Sequence, residues 1–240
     1  MKQMILIAFL LILSNCDGQN KEKSIHKSIT VKNKIPHSIK NDTMEYFNEN
    51  EYIDWQQDPE HCSSQFPCEE NNKFLMKANE RVNIFTDTKT FIQVDKSNKI
   101  NPYKIIKVYS FKSKNLLNIS KDFYSFPVSY QKYDENGKLI EEKDYNKPYE
   151  FSIKDLVEKI KKEYKVDLED KREKAFAGRK AKNGSFYYEV SIDMKVPLVT
   201  ELKYILVDGI TGKTLFTSIY YTKGGGEIPF DKYLETLKKK

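Results

Sequence analysis

The chain has 240 residues, 39% hydrophobic and 32% charged, proportions that fit a folded protein of one large or two small domains and exclude collagen, a coiled coil and a multi-span membrane protein. Its 41 Lys and Arg against 35 Asp and Glu leave a net charge of +6, yet only Arg81, Arg172 and Arg179 are arginines, so the clustered bidentate charge of nucleic-acid recognition is missing and no nucleic-acid partner is expected. Aromatic residues at 13%, with many Thr, Val and Ile, favour a sheet-rich chain.

Lys2 is followed by an apolar run over residues 4–13 and then by Ser14, Asn15 and Cys16. Ten residues are too few to span a bilayer of ~30 Å as a helix but suit the apolar region of a secretory signal. Leu13-Ser14-Asn15-Cys16 resembles the lipobox of bacterial lipoproteins, with Asn15 where Gly, Ala or Ser is usual. The resemblance implies cleavage after residue 15, acylation of Cys16 and a bilayer as its partner on the exported side of the bacterial envelope. Asp17 resembles a retention signal that only some bacteria read, so the membrane stays open. Residues 16–42, rich in Lys, Asn and Ser, read as a tether.

Cys62 and Cys68 lie six residues apart beside Ser and Pro in a chain expected to be exported, and a small-loop disulfide is the simplest reading. A zinc site using His61 and both thiolates would lack a fourth ligand. Trp55, the single tryptophan, is expected in a core or over the disulfide. Short apolar and β-branched runs at 82–86, 91–94, 103–111 and 123–130, separated by Asn, Asp and Pro, predict strands. Asn136-Gly137 between two β-prone arms predicts a hairpin with a type I′ turn. This hairpin resembles one unit of the MORN-like repeats of bacterial exported proteins, but no second unit follows.

From Ser152 the period changes. Ile153, Leu156, Val157, Ile160 and Tyr164 share one helical stripe, with Ser152 and Asp155 placed as a capping box. Further strands are expected at 186–192, 202–207 and 214–221, and an amphipathic terminal helix at 229–237 after the hinge Gly224-Gly225-Gly226. The helix, the strand at 186–192 and the turn Val207-Asp208-Gly209-Ile210-Thr211-Gly212-Lys213-Thr214-Leu215 together are similar to the PepSY domain. That resemblance covers about 149–223 and implies a helix packed on an antiparallel sheet, in an extracytoplasmic module often associated with peptidases. The expected architecture is therefore α+β: a signal at 1–15, a tether at 16–42, a β-rich region at 43–147, a PepSY-like domain at 148–223 and a helical tail at 224–240.

Gly212-Lys213-Thr214 does not make a phosphate loop, because the required Gly five residues before Gly212 is Val207 and a strand follows. Of His26, His37 and His61, two fall in the tether, and no nucleophile motif surrounds the third. Neither an enzyme nor a cofactor is expected. The candidate protein contact is the apolar loop Val196, Pro197, Leu198 and Val199. The function expected is a lipid-anchored protein-binding module that regulates or inhibits an exported peptidase or neutralises a toxin. The alternative is a structural lipoprotein of the cell envelope.

Overall fold

Alternation of apolar and polar residues governs most of the architecture. The computed structural model describes residues 44–62, 65, 67–194, 201–221 and 228–238, and among them twelve strands form two antiparallel sheets. The first sheet contains β1 (Gln56–Gln57), β2 (Asn72–Lys77), β3 (Glu80–Thr86), β4 (Phe91–Asn98), β5 (Tyr103–Ser110), β6 (Leu116–Phe123), β7 (Phe126–Tyr133) and β8 (Leu139–Asp144), side by side in that order. The second contains β9 (Ala175–Lys182), β10 (Ser185–Asp193), β11 (Glu201–Asp208) and β12 (Thr214–Tyr221), also in sequence order. Two helices accompany them, α1 (Ile153–Tyr164) and α2 (Pro229–Lys238).

The α+β expectation is therefore corrected: the protein is mostly β, with two antiparallel sheets and two short helices, not a helix-on-sheet module. Strands absent from the sequence reading, β2, β6 and β9, shift the balance. Helix α1 has 12 residues and supplies Leu156, Val157 and Ile160 to a buried cluster of thirteen side chains, nine of which come from strands. It fills a β-built core. Its start follows from Ser152, whose Oγ accepts from the Asp155 amide at 3.1 Å while the Asp155 carboxylate accepts from the Ser152 amide at 3.0 Å. No helix among the described residues is long and apolar enough to cross a membrane.

In the eight-stranded sheet one face carries a buried core. Val82, Ile84, Ile92 and Val94 are buried there, and Phe47, Tyr52 and Trp55 from the preceding segment pack over them. Trp55 thus belongs to this core's cover, edge-on to Tyr52. The four-stranded sheet is covered on both faces. Tyr188, Val190 and Ile192 of β10 join the cluster with α1, whereas Tyr187 faces the other way, toward Phe230 and Tyr233 of α2.

The two sheets meet in the cluster around α1. The tip of the β6–β7 hairpin places Phe123, fully buried, and Phe126 among the α1 and β10 side chains, and the Tyr124 hydroxyl donates to the Leu168 carbonyl at 2.7 Å. The Lys171 amide donates to the Ile100 carbonyl at 2.7 Å, tying the chain after α1 to the β4–β5 turn. Residues Asn41–Lys240 form one compact unit.

The expected Asn136-Gly137 hairpin is present between β7 and β8, but its turn is not type I′. Only Gly137 has positive φ, at +77°, and the Asp134 carboxylate organises a longer bulged turn by accepting from the amides of Asn136 and Lys138, both at 2.9 Å. Positive φ at two successive residues occurs instead at Asn183 and Gly184, 52° and 77°, between the paired Lys182 and Ser185 of β9 and β10.

Candidate functional site

Three places gather chemistry. The first is the corner beside the cysteines, where Cys62 and Cys68 stand at disulfide distance with Cα atoms 5.2 Å apart. Asp58, only 1% exposed, holds this corner. Its carboxylate lies 2.8 Å from Arg81 Nε and 3.1 Å from His61 Nδ1, and its carbonyl accepts from the Cys62 amide at 3.0 Å. Glu60 continues the network to Lys99 at 2.7 Å and to Arg81, and these two cations hold its carboxyl down to about 2. His61 stacks on Phe74 with ring centroids 4.7 Å apart. An imidazole fixed by a buried carboxylate resembles half of a hydrolytic arrangement, but among the described residues no hydroxyl or thiol hydrogen-bonds to it. Among the described residues no group of three or more His, Cys, Asp or Glu is placed to hold a metal. The network braces the loop that carries the cysteines.

The second place is a groove of about 400 Å³ lined by Phe126, Tyr145, Pro148, Tyr149, Arg179 and Phe186, among others. Arg179 is its centre. One guanidinium nitrogen donates to the carbonyl of Tyr145 at 3.0 Å, and the other donates to Asn146 Oδ1 at 2.7 Å and to the Tyr188 hydroxyl at 3.2 Å. The guanidinium carbon stands 4.0 Å from the Tyr149 ring centroid and 4.6 Å from that of Phe126. No carboxylate is among its partners in the described residues. Its charge is spent on carbonyl dipoles and ring faces, so it clamps β9 to the chain on either side of β8.

The third place is the second face of the eight-stranded sheet. Pairing aligns Phe74, Asn83, Asp95, Ile106, Ser120, Tyr130 and Lys143 in a row across seven strands. At about 4.8 Å between strands the row runs roughly 29 Å. None of its members belongs to a buried hydrophobic cluster; Lys143 is exposed and the others are half-buried, Phe74 beneath the ring of His61. Lys104 pairs with Asp95 at 3.6 Å on the same face.

Beside them the Asp122 carboxyl is pushed above the usual range by burial, with Lys104 opposing and Asp95 adding to the shift. The folded value lies above the unfolded one of about 3.9, so the folded chain holds this proton more tightly; the stabilising contribution is complete below about pH 4 and is lost as pH rises through the folded value. Asp122→Asn should therefore raise the melting temperature at neutral pH and leave it unchanged near pH 3. Thermal melts at both pH values check this, and a difference independent of pH would count against it.

Of the residues singled out in the sequence, Cys16, the loop Val196, Pro197, Leu198 and Val199, and Gly224 to Gly226 lie outside the described residues. The Asp208 turn is a structural device. Burial opposes ionisation of Asp208, but the amide and hydroxyl of Thr211 and the amide of Ile210 outweigh it and hold the carboxyl below its ordinary range. Gly212, with φ +70°, lies against the Phe151 ring, where any Cβ would collide. Arg179 and the row across the sheet escaped the sequence reading because each is assembled from distant segments, and Asp58 because its burial depends on Arg81, 23 residues away. Comparison with protein-family models, with curated proteins and with solved structures finds no match to this chain.

Proposed function

We propose that this chain is an exported, lipid-anchored module that binds a protein, and that the row from Asn83 to Lys143 is where the partner docks. The observation that carries the reading is the asymmetry of the eight-stranded sheet. One face is largely covered by Phe47, Tyr52 and Trp55, with a cleft of about 590 Å³ left beside Ile84 and Ile92, whereas the other presents aromatic, amide, hydroxyl and charged side chains over a width suited to a protein contact. Mixed aromatic and polar surface favours a protein over a small apolar ligand, which needs a concave pocket. Export is supported by the apolar run at 4–13 and by the cysteine pair at disulfide distance, which suits an oxidising compartment. A peptidase as partner rests on the resemblance of about 149–223 to the PepSY domain alone.

The test has two arms. Cys16→Ser should abolish incorporation of labelled fatty acid and leave the chain unprocessed; labelling that persists in the variant removes the anchor at that cysteine. Ile106→Lys, half-buried in the middle of the row and directly opposite Asp95, should lose chemical crosslinking to the membrane-fraction partner at least tenfold while the melting curve holds. Equal crosslinking of the variant and the parent chain would remove the docking face.

A further inference from the structure

Strand β12 ends the four-stranded sheet and reads Thr-Leu-Phe-Thr-Ser-Ile-Tyr-Tyr. It differs from every other described strand longer than two residues in carrying no charge. The other edges among the described residues are defended in the usual ways, β8 by Glu141, Glu142, Lys143 and Asp144, β9 by Lys180 and Lys182, and β1 by its two-residue length. An eight-residue neutral edge in a chain that is 32% charged invites pairing with another strand. Ile219 and Tyr221 are 46% and 55% exposed on it, and Thr217 is exposed as well. A further sign is Ser218 at the middle of the strand, whose hydroxyl oxygen, like that of Thr214 at its start, is buried and has no hydrogen-bond partner.

We propose that β12 pairs antiparallel with β12 of a second copy of this chain, joining two four-stranded sheets into one of eight strands. A two-fold axis perpendicular to the sheet keeps each side chain on its own face, so the register must centre on a residue and not between two. Centring on Ser218 sets the two Ser218 hydroxyls opposite each other, where one donates and the other accepts. The same register places Phe216 across from Tyr220 of the second copy, Thr217 across from its Ile219 and Leu215 across from its Tyr221, each contact made twice. A charge-free strand meets no like charge on pairing with itself. A foreign extended segment would have to bring its own hydroxyl to Ser218, which a second copy supplies by symmetry. The inference is independent of the anchor and of the docking row, which lies on the other sheet.

The test uses the full chain in a Cys16→Ser background, in which an introduced cysteine is the single thiol outside the Cys62 and Cys68 pair. Ser218→Cys should give a covalent dimer under mild oxidation. Thr214→Cys should not, because in this register its counterpart lies eight residues away, about 27 Å along the ladder. In sedimentation the parent chain should shift from monomer to dimer as concentration rises, and Ile219→Lys should stay monomeric with an unchanged melting curve, since its side chain is half-exposed. A parent chain that remains monomeric throughout its soluble range would overturn the proposal, as would equal crosslinking at 214 and 218. So would β12 amides that gain protection from hydrogen exchange only when a foreign polypeptide is added.

Discussion

Phe123→Ala is expected to lower the stability of the folded unit by about 4 kcal/mol, as the loss of a fully buried aromatic ring does, and to shift the melting temperature by roughly 10 °C in a chain of this size. Phe123 is fully buried in a knot of rings, with Tyr103 and Tyr124 both at 5.0 Å and Phe126 at 5.6 Å. The informative feature is the shape of the transition. Phe123 belongs to the eight-stranded sheet by backbone pairing and to the α1 cluster by packing, so both sheets should lose stability together in one cooperative step. Circular dichroism, monitored in the far and near ultraviolet during one melt, checks this. Two separated transitions, with only one moved by the substitution, would mean that the hairpin tip does not couple the sheets.

Arg179→Ala should cost about 3 kcal/mol, from hydrogen bonds to a charged donor and stacking on two ring faces. The carbonyl of Tyr145 and the side chain of Asn146 lose their donor, and Tyr149 and Phe126 lose the plane between them. Arg179→Lys is the sharper comparison. An ammonium keeps the charge but cannot serve two acceptors on separate nitrogens while lying flat between rings, so Lys should recover less than half of the loss. Chemical denaturation of both variants measures it. Full recovery by Lys would show that charge alone, and not the planar fork, holds β9 to the first sheet.

The two substitutions bear on what the sequence could and could not reveal. The helix at 153–164 was legible because its stripe and its cap are local: Ser152 and Asp155 act within one turn, and Leu156, Val157 and Ile160 recur at helical spacing. Strand β12 was legible with its bounds, since a run of β-branched and aromatic residues lies between two turn signals. Strand β9 was not. Ala-Phe-Ala-Gly-Arg-Lys-Ala-Lys has little β propensity, and its place comes from pairing with β10, where Ala177 lies opposite Val190. Missing it, together with β2 and β6, turned a mostly β protein into an expected α+β one. The hairpin at Asn136-Gly137 shows the finer limit: the dipeptide announced a reversal of the chain, but Asp134 chose the turn geometry. The clamp at Arg179 lay beyond sequence reasoning altogether, since its partners at 126, 145, 146, 149 and 188 say nothing of one another along the chain.

In both sheets each strand is hydrogen-bonded to its immediate neighbours in sequence. For a polypeptide that emerges as a thread, this order lets every strand find its mate as soon as the next few residues arrive, and none is left waiting for a distant partner. Early loop closures are short and cheap in entropy. Unpaired edges are correspondingly brief while the chain is incomplete, which lowers the chance of entanglement with neighbouring nascent chains. The costly closure is deferred to the end, when α1 and the second sheet arrive and Phe123 is finally enclosed. The same arrangement therefore gives the architecture a simple order of assembly, hairpin by hairpin, with the lock turned last.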